Sequence, residues 1–245
     1  MEYTLAILFF FVATLYSSVG LGGGSSYTAL MAILGVTYQL IPTTSLTLNL
    51  IVTFIGMMNF WRGGHGRPTL IAPFLITSIP MAYMAGSLEL SQPVFHAILL
   101  ATLVLVALRI YAFDELKFSF QLSGKPKWII ILLLGAALGF VAGSVGIGGG
   151  IYLVPLIVMF GLGNEKEAAA AGTLFIWVNS LSGLIARSQN HAFDMGFILP
   201  LAGAVALGGA LGSYVGAFKL KAKTIQKIMG IAILLAIVFL AKRLV

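Results

Sequence analysis

The sequence predicts an all-α polytopic membrane protein with two inverted-topology repeats, each holding a Gly-rich broken or hairpin helix pair and three further transmembrane helices. Three observations lead there: a scarcity of charge, the lengths of the charge-free runs, and an internal repeat. Of 245 residues only 9% are charged and 60% are hydrophobic, with a mean hydropathy of +1.06. A soluble chain carries about 25% charged residues. Tyr3 to Trp61, Pro68 to Leu88, Leu90 to Leu108, Trp128 to Asn164, Ala168 to Ala186 and Met195 to Phe218 contain no Asp, Glu, Lys or Arg. At about 1.5 Å per helical residue, even the shortest of these runs approaches a hydrocarbon core about 30 Å thick.

The repeat is direct. Ser18-Val19-Gly20-Leu21-Gly22-Gly23-Gly24 returns as Ser144-Val145-Gly146-Ile147-Gly148-Gly149-Gly150, 126 residues later. The same offset relates Gly35 to Gly161, His65 to His191 and Gly86-Ser87 to Gly212-Ser213. With small gaps Ser45-Leu46 aligns with Thr173-Leu174, Gly56 with Gly183, and Arg62 with Arg187. Two copies of one unit are expected, residues 1–113 and 128–245, joined by a polar linker at 114–127 that carries Asp114, Glu115, Lys117, Lys125 and Lys127.

Each unit opens with a long apolar helix that runs into the Gly-rich stretch. Met1 to Gly20 has no basic start, so it reads as a membrane segment and not as a signal peptide. A short helix follows, about Ser25 to Ile41 in the first unit and Ile151 to Leu162 in the second. Three helices complete the first unit, about Thr43 to Phe60, Thr69 to Ser87 and Val94 to Phe113. Their counterparts are about Ala168 to Arg187, Gly196 to Ala217 and Thr224 to Arg243. Whether the short helix crosses, forms a hairpin or is re-entrant is arbitrated by loop charge. An even number of crossings by each Gly-rich pair gathers eleven of the 14 basic residues on one side, leaving only Arg187, Lys242 and Arg243 on the other. Because basic loops face the cytoplasm, this places both termini outside and inverts the halves.

Composition also removes functions. With no Cys there is no disulfide, thiolate nucleophile or Cys-metal site. The net charge of +7 is dispersed over short loops, which the orientation rule explains better than nucleic acid does. All seven acids, Glu2, Glu89, Asp114, Glu115, Glu165, Glu167 and Asp194, fall in loops, helix ends or the linker. A proton or sodium relay on intramembrane carboxylates is therefore not expected. No catalytic triad, nucleotide loop, metal cluster or cofactor motif is present, so the sequence argues against an enzyme.

Irregular backbone at membrane depth must be buried in protein or line a cavity. Gly22, Gly23 and Gly24, with Gly148, Gly149 and Gly150, are therefore candidate binding elements, whose free amides and following helix starts suit an anion. The alternative, that glycines only let helices pack, fits the four-residue stripes Gly135-Gly139-Gly143 and Gly208-Gly212-Gly216 better than three consecutive glycines. Ser45, Asn49 and Thr53 share one helix face with Thr44 beside them, and the second unit offers Thr173, Asn179 and Ser180. Such groups either tie helices together or contact substrate. Ser25 and Ser26 follow the first glycines, while Ile151 and Tyr152 follow the second, so a site there is not symmetric. Arg62 with His65, and Arg187 with His191, sit at matched helix ends. They are either interfacial side chains reaching for water or an anion-attracting vestibule with His as proton acceptor.

The doubled motif at Ser18–Gly24 and Ser144–Gly150, Thr44-Ser45 and Gly172-Thr173 at the next helix, and the ends at Arg62 and Arg187 resemble the sulfite exporter TauE/SafE family of membrane permeases. That resemblance covers nearly the whole chain. It implies transport of small sulfur-containing anions, such as sulfite, sulfoacetate or related organosulfonates, across the bacterial cytoplasmic membrane. Gly172 stands where the first unit has Thr44, so hydroxyl ligands would come mainly from the first half. The expected partners are the anion and the lipid bilayer, with no nucleic acid and no cofactor; assembly into a homo-oligomer is left open. The reading is a secondary transporter, an exporter working by alternating access, with an anion channel or a non-transporting membrane subunit as alternatives.

Overall fold

The computed structural model describes residues 2–112, 125–189 and 193–219. The expected final helix (Thr224 to Arg243), most of the linker and His191 lie outside them. Every regular element among the described residues is an α-helix: α1 Glu2–Ser17, α2 Gly24–Ile33, α3 Leu40–Arg62, α4 Pro68–Ser87, α5 Gln92–Ala112, α6 Lys125–Val145, α7 Gly150–Met159, α8 Glu165–Arg187 and α9 Met195–Phe218. Within the described residues α3, α4, α6, α8 and α9 are long and apolar enough to cross a membrane. The chain is a multi-pass helical protein with an apolar outer surface, to which Ile76, Leu133, Leu199 and Leu207 each contribute a side chain at least 66% exposed.

The short helices are shorter than the sequence suggests. Both α2 and α7 have 10 residues, about 15 Å, so neither spans a hydrocarbon core of about 30 Å alone. Hydropathy continues to Ile41, but Gly35 takes φ +81° and ends α2, its amide donating to Ala32 O while Val36 N returns to Met31 O. Gly161, at φ +62°, ends α7 the same way. In contrast α8 begins three residues before the expected Ala168. Asn164 caps it by accepting from Lys166 N and Glu167 N, while Glu167 accepts from Asn164 N.

Glycine sets the packing. Gly208 and Gly212 of α9 lie against the carbonyls of Phe10 and Thr14 on α1, and Gly216 against that of Ser18 just past its end. Gly135, Gly139 and Gly143 of α6 lie against those of Phe74, Ser78 and Ala82 on α4. Each pair is parallel and in a register that advances by four residues, which permits backbone-to-backbone approach. Gly86 and Gly212, aligned in sequence, meet different neighbours: Gly183 of α8 and Thr14 of α1.

The two most enclosed spans, α3 and α8, cross at the centre in opposite directions. A Cβ on Gly56 would lie 3.1 Å from Thr173 Cγ2, the Phe54 and Trp177 rings are 6.3 Å apart, and a Cβ on Gly183 would lie 3.4 Å from Leu46 Cδ1. α2 folds back on α1: Tyr27 stacks on Phe9 at 4.6 Å, and Ser26 Oγ meets Tyr16 Oη at 2.7 Å.

Candidate functional site

Both Gly-rich stretches are true breaks. α2 starts on Gly23 at φ +91° and α7 on Gly149 at φ +71°, in neither case with a side-chain cap. An L-residue in this conformation costs about 1–2 kcal/mol, so the sequence must supply glycine here. Without a cap, the amides of Gly22, Gly23, Gly24 and Ser25 have no acceptor among the described residues. They cluster at the positive end of a helix dipole.

The breaks also meet each other. A Cβ on Gly24 would lie 2.6 Å from Asn49 Nδ2, 2.7 Å from Ile147 O and 2.8 Å from Gly146 O. Ser45 Oγ donates to Gly146 O at 2.7 Å, and Asn49 Nδ2 donates to the same oxygen at 3.3 Å. A Cβ on Gly22 would strike Asn49 Oδ1, and one on Gly148 would lie 3.0 Å from Asn49 Nδ2. Asn49 is fully buried between the two breaks, and its Oδ1 accepts no bond among the described residues. At the position corresponding to Asn49, the second half places Ile176 against Gly148 and Gly150. Each break is also seated on the other half: Gly20 on Ala169 and Gly172, Gly146 on Pro42 and Ser45.

Of the residues the sequence singled out, the structure thus joins Gly22, Gly24, Ser45, Asn49 and Gly148, with Gly150 beside them on Ile176. Ser25 and Ser26 turn to Tyr16 Oη, at 3.3 and 2.7 Å. Gly23 is covered by Tyr27, and Gly149 packs on Leu138 O and Phe175. Thr44 is buried next to Ser45. Thr173 bonds back to Ala170 O at 2.8 Å and turns its methyl to Gly56, and Asn179 bonds to Phe175 O at 2.8 Å. Neither of these last two bonds to a break.

The matched arginines behave differently. Arg62 is exposed, with His65 half-buried nearby. The ion pair on that face is instead Arg67–Glu167 at 3.1 Å, which the sequence reading missed. Arg187 is 4% exposed and does not reach for water. Its Nη2 donates to Gly143 O at 3.1 Å and Ser144 O at 2.6 Å, satisfying carbonyls at the end of α6. It lines a cavity of about 350 Å³ that reaches from Tyr38, Gln39 and Pro42, past Glu89 and Phe95, to Ser144. Gly146, Ile147 and Ile176 were not singled out as site residues; the sequence register of Ser45 on Thr173 sets Trp177 opposite Asn49, and only the contacts to the break show Ile176 there.

The sequence profile of the sulfite exporter TauE/SafE family matches residues 5–240. The chain belongs to that family. This TauE/SafE chain is 32% identical over 234 residues, 95% of both proteins, to "Probable membrane transporter protein y4hK" of Sinorhizobium fredii (strain NBRC 101917 / NGR234). It is 27% identical over 188 residues to "Probable membrane transporter protein YjnA" of Bacillus subtilis (strain 168), covering 71% of the chain and 73% of that relative. No solved structure matches it. Family and relatives make the TauE/SafE chain a membrane transporter, multi-pass in the inner membrane.

Proposed function

We propose that this chain is a secondary transporter that exports a small sulfur-containing anion, such as sulfite, sulfoacetate or a related organosulfonate, held at the two Gly-rich breaks. The observation that carries the proposal is their meeting at Asn49, which brings unpaired amides and two helix starts to one buried place. Preorganised amides at helix starts favour a negative ligand without an ionised side chain. Asn49 adds a side-chain N–H from the first half alone, one of its two Nδ2 hydrogens being directed to Gly146 O, while the Ser45 hydroxyl is donated to that same oxygen.

The halves are inverted and rock about the central crossing to alternate access. Support comes from α3 and α8, which run antiparallel and exchange near-equivalent contacts, Gly56 with Thr173 and Gly183 with Leu46, the neighbour of the Ser45 that aligns with Thr173. Orientation follows from the basic face. Arg67 pairs with Glu167, and Lys166 Nζ donates to Ala217 O at 2.9 Å, so these loops share one side with Lys219. That side is cytoplasmic by the positive-inside rule. An inside-negative potential then drives anions outward by about 2.3 kcal/mol per charge per 100 mV, and no coupling ion is required.

Purified protein in liposomes tests this with radiolabelled sulfite and sulfoacetate. Saturable flux and counter-exchange are expected. Flux no faster than in empty liposomes, for every sulfur anion tried, overturns transport of this class; unsaturated conductance replaces the carrier with a channel.

A further inference from the structure

An almost fully enclosed guanidinium needs a partner for its charge, and Arg187 has none among the described residues. Its two hydrogen bonds go to neutral carbonyls, and Nε has no acceptor among the described residues. The only ion pair among those residues is Arg67–Glu167. Asp194 is engaged as the cap of α9, and Glu89, which lines the same cavity, is exposed and lies beyond ion-pairing distance of Arg187. An unpaired buried charge is among the costliest arrangements in a folded chain, and a mobile anion relieves it.

The cavity beside Arg187 shows what kind of anion fits. At about 350 Å³ it holds far more than a bare oxyanion, since water occupies about 30 Å³ of liquid. One end offers Arg187, beside Ser144 whose hydroxyl donates to Val141 O; Pro42, Leu88, Leu90 and Phe95 form the apolar part of the wall, and Tyr38, Gln39, Glu89 and Ser91 the polar part. Ser144 lies two residues before Gly146, so the cavity ends next to the second break. It lies at the C-terminal end of α8, opposite the basic face where α8 begins.

We propose that Arg187 and this cavity form a second anion site, an outer station selective for an organic oxyanion whose charged head meets Arg187 and whose alkyl part lies on Leu90 and Phe95. Its place on an export path rests on the transporter reading above; the binding itself does not. The same site thereby favours organosulfonates over inorganic sulfite.

Calorimetric titration of the full chain in detergent with sulfite, methanesulfonate and butanesulfonate tests the site. Butanesulfonate is expected to bind most tightly. Arg187→Gln should abolish binding at this site. Arg187→Lys keeps the charge and a donor for the α6 carbonyls, and should weaken butanesulfonate about tenfold while the unliganded melting temperature holds. Leu90→Trp, which narrows the cavity without touching the charge, should remove the preference for butanesulfonate and leave methanesulfonate within about twofold. Equal affinity across chain lengths, or titrations unchanged by both Arg187→Lys and Leu90→Trp, overturns the site. Binding with these dependences but no flux in liposomes leaves the site standing and removes the transporter reading. Flux with neither dependence does the reverse.

Discussion

Asn49 touches both breaks, and its bonding is incomplete. Its Nδ2 reaches Gly146 O at 3.3 Å and its Oδ1 accepts nothing among the described residues. A bond so long, with the partner oxygen also held by Ser45 at 2.7 Å, contributes little to folding. Asn49→Leu should therefore change stability by less than about 1 kcal/mol, checked by thermal unfolding. Its flux in liposomes should nevertheless fall about tenfold or more if the amide meets the anion. Gly24→Ala is the harsher change, because the added methyl would lie 2.7 Å from Ile147 O and push the breaks apart. A loss of about 1–3 kcal/mol with loss of flux is expected. Much of this was legible: Ser45, Asn49 and Thr53 share a face at four-residue spacing. Their acceptor was not, because Gly146 is 97 residues from Asn49 and offers only a backbone oxygen. Nor could spacing reveal that Thr53 spends its hydroxyl on Asn49 O at 2.6 Å.

At the scale of elements, the same residue type does two jobs that spacing alone separates. Stripes at intervals of four bring helices into contact, whereas consecutive glycines end them. Adding a methyl at Gly139 or Gly212 would drive it into Ser78 O or Thr14 O, both main-chain atoms that cannot swing away. Gly139→Ala and Gly212→Ala should each destabilise the chain by about 1–3 kcal/mol. Gly203→Ala, in the same helix as Gly212 but with open space around it, should be neutral or up to about 1 kcal/mol stabilising. Comparing the three melting temperatures checks whether contact or propensity governs. Helix ends were less legible than helices. The start of α8 carried its signal in Asn164 and Glu167, whereas the apolar run begins only at Ala168. The end of α2 was hidden because Gly35 lies between the apolar Leu34 and Val36 in a stretch that carries no charge as far as Trp61.

For the whole molecule, the question is which face lies where. The absence of cysteine makes single-cysteine labelling clean. Thr69 starts α4 beside the basic face, and Ser91 lines the cavity at the other end. Thr69→Cys should react with a membrane-impermeant maleimide only from the cytoplasmic side, and Ser91→Cys only from outside. Labelling of both from one side overturns the orientation. Loop charge made this grouping legible because lipid leaves basic residues few places to go; the cavity was not legible, since segments far apart in the chain close around it. The α3–α8 crossing has a further consequence. Gly56 meets Thr173 and Gly183 meets Leu46, a near-reciprocal pattern like that at the interface of a symmetric dimer, and under the proposed inverted halves the chain would be a dimer whose partners are covalently fused. A dimer of identical subunits would set the same residue at both central positions, two amides or two hydrocarbons. Fusion would release that constraint and let one molecule carry Asn49, which touches both breaks, at one central position and Ile176, against Gly148 and Gly150, at the other.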